Sequence, residues 1–333
     1  MKFSMHMSTR ISDKRDELPL ISYMTDLALE ADAVGFGGIS LTEHHLFENQ
    51  GYQNSLLYAC ALAPRLKQAT LVLATVNPAL HHPVRLVESC NLIDQLNGGR
   101  LVVAFGSGFK ETDLIAFGRD LDKRHVLFED GMRTVVDIWA YDGSGGPLEF
   151  AVGSDRGKIE FAVNPSSFRK PRPILGRGTL NDAGILDTAA KGWAILTAGK
   201  SPEEAKKQFA VYNKALDASA HSEETKALSR AWSGVGKAVH IAETDEKAVN
   251  EALAYFKKNP TGAIARRPED MVCGSPETVT RMMREYADAG VGNMITAFLI
   301  DVEDRSALRK SFNLFQKEVM PNFATESAVA SAI

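Results

Sequence analysis

The feature that most constrains the fold is the alternation of short apolar runs with longer stretches of helical period. Eight runs have the composition of strands, and several are apolar almost throughout, as strands of a covered parallel sheet are. They are KFSMHM from Lys2, FGGISLTE from Phe36, TLVLATV from Thr70, RLVVAFG from Arg100, RPILGRG from Arg172, WAILTAG from Trp193, VGKAVHIAE from Val235 and NMITAFLI from Asn293. Open sheets usually have about five to seven strands, so eight repeats predict a (β/α)8 TIM barrel.

The intervening stretches carry signals for helix starts. SPEEA offers Ser201 as an N-cap with Glu204 three residues later, which is a capping box. SPETV repeats the Ser-Pro-Glu start at Ser275. The segments 83–97 and 305–319 have the apolar spacing of amphipathic helices.

Two segments interrupt this rhythm. Residues 141–171 contain YDGSGGPLEFAVGSDRGKIEF, which predicts an insertion with a hairpin after the fourth βα unit. Residues 259–273, rich in Pro and Arg, predict a loop insertion. Neither segment is long enough or low enough in complexity to be a disordered linker. The sequence therefore predicts one domain over residues 1–333.

Composition excludes several classes of function. The 333 residues carry a net charge of -4 without a basic block, which does not favour nucleic acid or an anionic membrane as a partner. No apolar run approaches the roughly 20 residues that cross a bilayer. The start, MKFSMHMS, lacks the apolar region of a signal peptide, and the three cysteines have no metal-binding spacing. We expect a cytoplasmic protein.

The second strand ends in three titratable residues, Glu43, His44 and His45, within LTEHHLFENQ. Residues that follow barrel strands line the active site of a TIM barrel. A strand that only filled the core would end in turn residues, whereas these groups bind ligands or transfer protons. For His45 taken alone, a capped or solvated loop position is the simpler interpretation.

Other strands also end in small or polar residues: Asn77, Gly106, Ser107 and Gly108. GSGFKE and GRGTLN both begin G-x-G, but neither has the third glycine or the acidic residue of a dinucleotide site. GRGTLND from Gly176 fits a phosphate site, because glycine N–H groups can approach an anion, a helix follows and Arg177 adds charge. A plain βα turn fits it equally well.

A metal-dependent hydrolase on this fold usually requires a His-x-His pair on the first strand. The first strand offers only His6, and His81 and His82 adjoin Pro83 at a helix start, where a capping or solvent role is expected. No metal site is predicted.

Several longer motifs together resemble the bacterial luciferase-like, flavin-dependent monooxygenases. They are GFGGISLTEHH, HPVRLVESCNLIDQLNGGRL, FGRDLD at Phe117, NPSSF at Asn164, CGSPETV and FNLFQKEVMPNF, together with the opening MKF. The similarity runs nearly end to end. The block from Glu43 to Leu101 is its most specific part.

This resemblance implies a TIM barrel that binds FMN at the carboxyl-terminal mouth. Members take reduced FMN from a separate flavin reductase and add O2, and the resulting C4a-peroxyflavin oxidises an aldehyde, a ketone or another small molecule. His44 occupies the position of the catalytic histidine. Relatives carry a cis peptide at the position of Ala74 and Thr75, beneath the flavin.

The sequence also departs from the luciferase pattern. Gly106 and Ser107 stand where luciferase has a cysteine and a phosphate-binding arginine. We therefore predict that Arg177, with the backbone N–H groups of Gly178 and Thr179, binds the FMN phosphate. Light emission is not expected, and an oxygenating relative such as a type II Baeyer-Villiger enzyme, which shares CGSPETV, fits better.

Two other functions remain open on this fold. One is an F420-dependent oxidoreductase, in which hydride transfer replaces oxygen chemistry, and the other is a non-catalytic flavin-binding partner subunit. The segment Asn54 to Ala63 is apolar nearly all round, beyond the single stripe that a barrel helix needs, which predicts a homodimer built on the second and third helices. The sequence does not name the substrate.

Overall fold

The computed structural model describes residues 1–7, 17–46, 51–108, 110–258, 267–299 and 305–323. Eleven strands lie in these residues: β1 (Lys2–His6), β2 (Gly38–Leu41), β3 (Thr70–Val76), β4 (Leu101–Phe105), β5 (Leu148–Val152), β6 (Asp155–Ile159), β7 (Ile174–Gly178), β8 (Ala194–Ala198), β9 (Gly234–Ile241), β10 (Val272–Gly274) and β11 (Asn293–Phe298). Eight of them close a parallel barrel in the order β1-β2-β3-β4-β7-β8-β9-β11. The predicted TIM barrel is confirmed.

Helices surround this barrel. In the same described residues they are α1 (Glu17–Ala33), α2 (Ser55–Leu62), α3 (Pro83–Leu96), α4 (Glu111–Ala116), α5 (Arg124–Ala140), α6 (Asp182–Ala190), α7 (Pro202–Asp217), α8 (Glu223–Trp232), α9 (Asp245–Lys258), α10 (Pro276–Asp288) and α11 (Ser306–Leu314). A π-helical turn, Phe315–Val319, continues α11. None of the helices in the described ranges combines the length and apolar character needed to cross a membrane.

Side chains alternate along each strand between the barrel interior and the helix layer. Ala104, Leu196 and Ile295, from three strands, form a small cluster with Ala74 packed against it. The much larger core cluster joins the opposite faces of the strands to the helices.

All eight predicted barrel strands are present, and the predicted caps form. The Ser201 side chain accepts from the Glu204 N–H in a reciprocal capping box, and Ser275 caps α10 through Thr278. The insertion at 141–171 contains the predicted hairpin, made by β5 and β6. The single-domain prediction stays a prediction.

The predicted loop at 259–273 needs a correction at its end. Residues 259–266 lie outside the described residues, but Val272–Gly274 forms β10, which pairs in parallel with the end of β9. Three residues are too few for a periodic strand signal, so backbone pairing to β9 decides this element. The strand leads directly into α10.

Candidate functional site

The predicted site residues follow four strands that are neighbours in the barrel. The sheet order places β2, β3, β4 and β7 side by side, all parallel. Their carboxyl ends therefore meet at one mouth. The residues brought together there are His44, Ala74, Thr75, Gly106, Ser107, Gly178 and Thr179.

The floor of this mouth is built around Thr75. The peptide bond between Ala74 and Thr75 is cis, as predicted, and the pairing of β3 with β4 shifts register across it. A Cβ atom on Gly106 would lie 2.1 Å from Thr75 Oγ1, and one on Gly178 would lie 3.0 Å from Thr75 Cγ2. The close approach of Thr75 thus leaves no room for a Cβ at Gly106 and little room for one at Gly178. The result is a floor without bulky side chains.

His44 follows β2, the strand next to β3 in the barrel, and is half-buried. Its Nε2 shares a hydrogen bond of 3.2 Å with Thr42 Oγ1. Burial lowers the pKa of His44 below its ordinary value, while the carboxylates of Asp113 and Glu43 oppose that fall. The pKa of His6, on β1, is lowered to about 4 by burial and by its closeness to His44. Near neutral pH the His44 imidazole is therefore mainly uncharged and able to accept a proton.

Glu43 holds the exits of β2 and β3 together. Its Oε1 accepts hydrogen bonds from His45 Nε2 at 2.8 Å and His81 Nε2 at 2.6 Å, and its Oε2 accepts from the Asn77 N–H at 2.8 Å. Burial alone would raise the pKa of this carboxyl, but the bonds from the two histidines and Asn77 lower it to about 2. Sequence reasoning expected a loop or capping role for His45 and His81, and it missed their shared carboxylate.

Asn77 extends this connection to β4. Its side chain donates to the Ser107 carbonyl at 3.2 Å and accepts from the Ala79 N–H at 3.1 Å. A Cβ on Gly108, whose φ is +67°, would approach Asn77 Nδ2 to 3.0 Å. The loop that carries Ser107 is therefore positioned by Asn77, and through it by Glu43.

Helix α4 and its N-cap residue contribute Asp113, which the sequence did not single out, and Lys110, which the sequence offered with Ser107 as an alternative phosphate site. Lys110 Nζ donates to the carbonyls of Leu46 at 2.9 Å and His45 at 3.3 Å. Asp113 Oδ2 accepts from the His45 N–H at 3.5 Å. The ring of Phe117 lies 4.6 Å from the His45 ring. One short helix thus contacts the backbone directly after His44.

Comparison with known proteins fits this geometry. The sequence profile described as luciferase-like monooxygenase matches residues 1–296. The chain belongs to this family. The alkanal monooxygenase alpha chain of the Kryptophanaron alfredi symbiont is 25% identical over 268 residues, which cover 77% of this chain and 70% of that protein.

Solved structures show the same fold in other luciferase-like monooxygenases and beyond. The FMN complex of the oxygenating constituent of 3,6-diketocamphane monooxygenase from Pseudomonas putida, a type II Baeyer-Villiger enzyme, has a TM-score of 0.77 at 16% identity and covers 96% of this chain and 98% of that one. An F420-dependent secondary alcohol dehydrogenase in complex with an F420-acetone adduct has a TM-score of 0.72 at 14% identity, with 97% and 99% covered.

In this chain, Arg177 has different neighbours from those predicted. Its guanidinium binds Asp187 at 2.8 Å and Glu129 at 2.5 Å and lies 5.1 Å from the Phe128 ring. These partners belong to α5 and α6, so the side chain lies in the helix layer and not over the mouth. The Thr179 N–H also donates to the Leu196 carbonyl. The phosphate role of Arg177 stays a prediction that requires these pairs to be exchanged.

Metal ligation finds no support among the residues that the structure describes, where no group of three or more His, Cys, Asp or Glu side chains could hold an ion. His81 binds Glu43. His82 is the N-cap residue of α3, and its ring lies edge-on to Phe150. The titratable groups at this mouth are therefore arranged around a carboxylate and a proton-accepting imidazole.

Proposed function

We propose that this chain is a monooxygenase that uses reduced FMN and O2 to oxidise a small organic substrate such as an aldehyde or a ketone. One oxygen atom would enter the substrate and the other would leave as water. The observation that carries the proposal is the position of His44 after β2, the neighbour of the strands that carry a floor of small residues at the mouth of the barrel. Membership of the luciferase-like family supports it.

The residues at the mouth fit a flavin. A flat ring system needs a surface without projecting side chains, and Ala74, Thr75, Gly106 and Gly178 supply one. Ser107 and Thr179 border it with hydroxyl groups. We assign the ring to this floor and the phosphate to the turn at Gly178 and Thr179, before the first turn of α6. When bound, the reduced flavin supplies the electrons that activate O2.

His44 is the residue we assign to proton transfer. An imidazole whose pKa lies below its ordinary value is mainly in the base form at neutral pH, so it can take a proton and return it within one turnover. Thr42 orients the ring through the hydrogen bond to Nε2.

Two partners follow from the proposal. A separate flavin reductase would supply reduced FMN. A second copy of the chain would cover α2 and α3, because these two packed helices expose Leu57, Leu92 and Leu96. A symmetric pair would remove those side chains from water. We also propose that the protein works in the cytoplasm.

An F420-dependent oxidoreductase is the second candidate. The fold shared with the F420-dependent alcohol dehydrogenase favours it. It differs in chemistry, since hydride transfer needs no oxygen. The third possibility, a non-catalytic flavin-binding subunit, gives no reason for placing a proton-accepting His44 at the floor.

Anaerobic absorbance titration with reduced FMN and with reduced F420 separates the two enzymes. The FMN complex is then mixed with 18O2 and a panel of long-chain aldehydes and cyclic ketones, and products are analysed by mass spectrometry. We expect saturable binding of reduced FMN and one 18O atom in the product. Tight binding of F420, with substrate oxidation that proceeds without O2 and reduces added oxidised F420, would establish the second candidate instead.

A further inference from the structure

Helix α4 contacts the strand exit that carries His44, and the mechanism above gives it no part. We propose that Asp113 is a positioning residue for His44. Asp113 holds the backbone after His44, and its carboxylate places a negative charge near the His44 imidazole. Lys110, the N-cap residue of the same helix, places the opposite charge near His44. This inference rests on the proposed role of His44 in proton transfer.

The Asp113 carboxylate is buried and contacts the segment after His44. It is only 9% exposed, and its Oδ2 accepts the His45 N–H at 3.5 Å. Its Oδ1 is buried and has no hydrogen-bond partner among the described residues, and Lys110 Nζ lies 3.9 Å from it. A buried carboxylate oxygen without a hydrogen bond is costly unless a nearby charge compensates for it.

Lys110 binds the carbonyl groups of the same segment, His45 and Leu46. Its Nζ reaches the carbonyl oxygens of both His45 and Leu46. Leu46 has a φ of 54°, and its N–H donates to Gln53 Oε1 at 2.8 Å. Asp113 and the N-cap residue Lys110 thus hold the N–H and the C=O of His45, the residue next to His44, which restricts where the imidazole can lie.

The charges around His44 come from three parts of the chain. Its own strand exit contributes Glu43 and His45, β1 contributes His6, and α4 contributes Asp113 and Lys110. Burial lowers the His44 pKa most, Asp113 is the largest of the charges that raise it, and Lys110 lowers it. Asp113 and Lys110, three positions apart, therefore shift the His44 pKa in opposite directions.

Because the two charges have opposite signs, the two variants that remove them should shift the His44 titration midpoint in opposite directions. A general loosening of the structure would not produce opposite shifts. The histidine resonances of the flavin-free protein are titrated by NMR, and His44 is assigned by the signal that His44→Gln removes. Asp113→Asn should move the His44 midpoint to lower pH, and Lys110→Met should move it to higher pH. Exposed Glu111, between them in sequence, provides the control Glu111→Gln, which should leave it in place.

Shifts of both variants in the same direction, or no shift in either, would overturn the inference. If Asp113→Asn does not fold, Lys110→Met decides alone: an upward shift supports the inference and an unchanged midpoint rejects it. The acid limb of kcat/KM should move with the NMR midpoint in each variant. Opposite NMR shifts with an unmoved acid limb would sustain the inference about α4 and reject the role of His44 in turnover.

Discussion

Replacing Glu43 by Gln should destabilise the protein in a way that depends on pH. The side chain is 3% exposed and accepts from His45, His81 and Asn77. The variant keeps the size of the residue and removes its charge. Its amide NH2 donates and cannot accept, so either the Asn77 N–H loses its partner or His45 and His81 must change tautomer so that their Nε2 atoms accept.

The size of the effect follows from the pKa. The carboxyl pKa falls from 4.5 to about 2, and each unit corresponds to about 1.4 kcal/mol, so ionised Glu43 contributes on the order of 3 kcal/mol at neutral pH. Because the folded pKa is the lower one, this contribution is complete above the unfolded value and is lost as pH falls toward the folded value. For a chain of this length, about 3 kcal/mol corresponds to a Tm loss of about 4–5 °C.

The assay is reversible denaturant unfolding of wild type and Glu43→Gln from about pH 8 to about pH 3.5. The difference between their free energies of unfolding should stay constant down to about pH 5.5 and should become smaller below about pH 4.5. Glu88→Gln is the matched control, since Glu88 forms an exposed surface pair with Arg85 and should change stability by at most about 1 kcal/mol. A difference that does not change with pH would refute the reasoning, because the network would then not depend on the charge.

Two further predictions concern the dimer and the arginine of β7. Leu57→Lys combined with Leu92→Lys should convert a dimer into a monomer in light scattering at micromolar concentration, whereas the equally exposed Leu180→Lys should not; a wild-type monomer would contradict the proposed pair. Because the Arg177 guanidinium is paired in the helix layer, we now expect, against the phosphate role predicted from the sequence, that Arg177→Met leaves reduced-FMN affinity within a few-fold. It should lower stability by about 1 kcal/mol, because its partners are partly exposed carboxylates. A loss of about 1.5–3 kcal/mol in FMN binding would instead mean that Arg177 binds the phosphate.

The strands and helix starts could be predicted because their signals are local. Apolar runs mark β1 to β4, and Ser201 lies within four residues of the atoms it caps. The cis peptide at Ala74 came from the family resemblance and not from periodicity. The pairing of β10 with β9 could not be predicted, because a three-residue strand is defined only by its neighbour.

The site was harder to predict because its contacts join distant segments. Glu43 and His81 are 38 positions apart and meet only because β2 and β3 end side by side. Asp113 lies on a six-residue helix that has too few turns for a periodic signal. The placement of Arg177 could have been found, since alternation puts it opposite Gly176 and Gly178, which face the small residues of the barrel interior.

The central claim is that His44 transfers protons in an oxygenation that depends on reduced FMN. The most direct measurement is a single turnover in which His44→Ala, in excess over reduced FMN so that little flavin stays free, is mixed with air-saturated buffer and a converted substrate, and product and hydrogen peroxide are quantified together. We expect reduced-FMN affinity within a few-fold of wild type, a loss of about 10²–10⁴ in the rate of product formation, and a larger share of oxygen released as peroxide. Product formation by His44→Ala at the wild-type rate would show that this histidine is structural and would contradict the account.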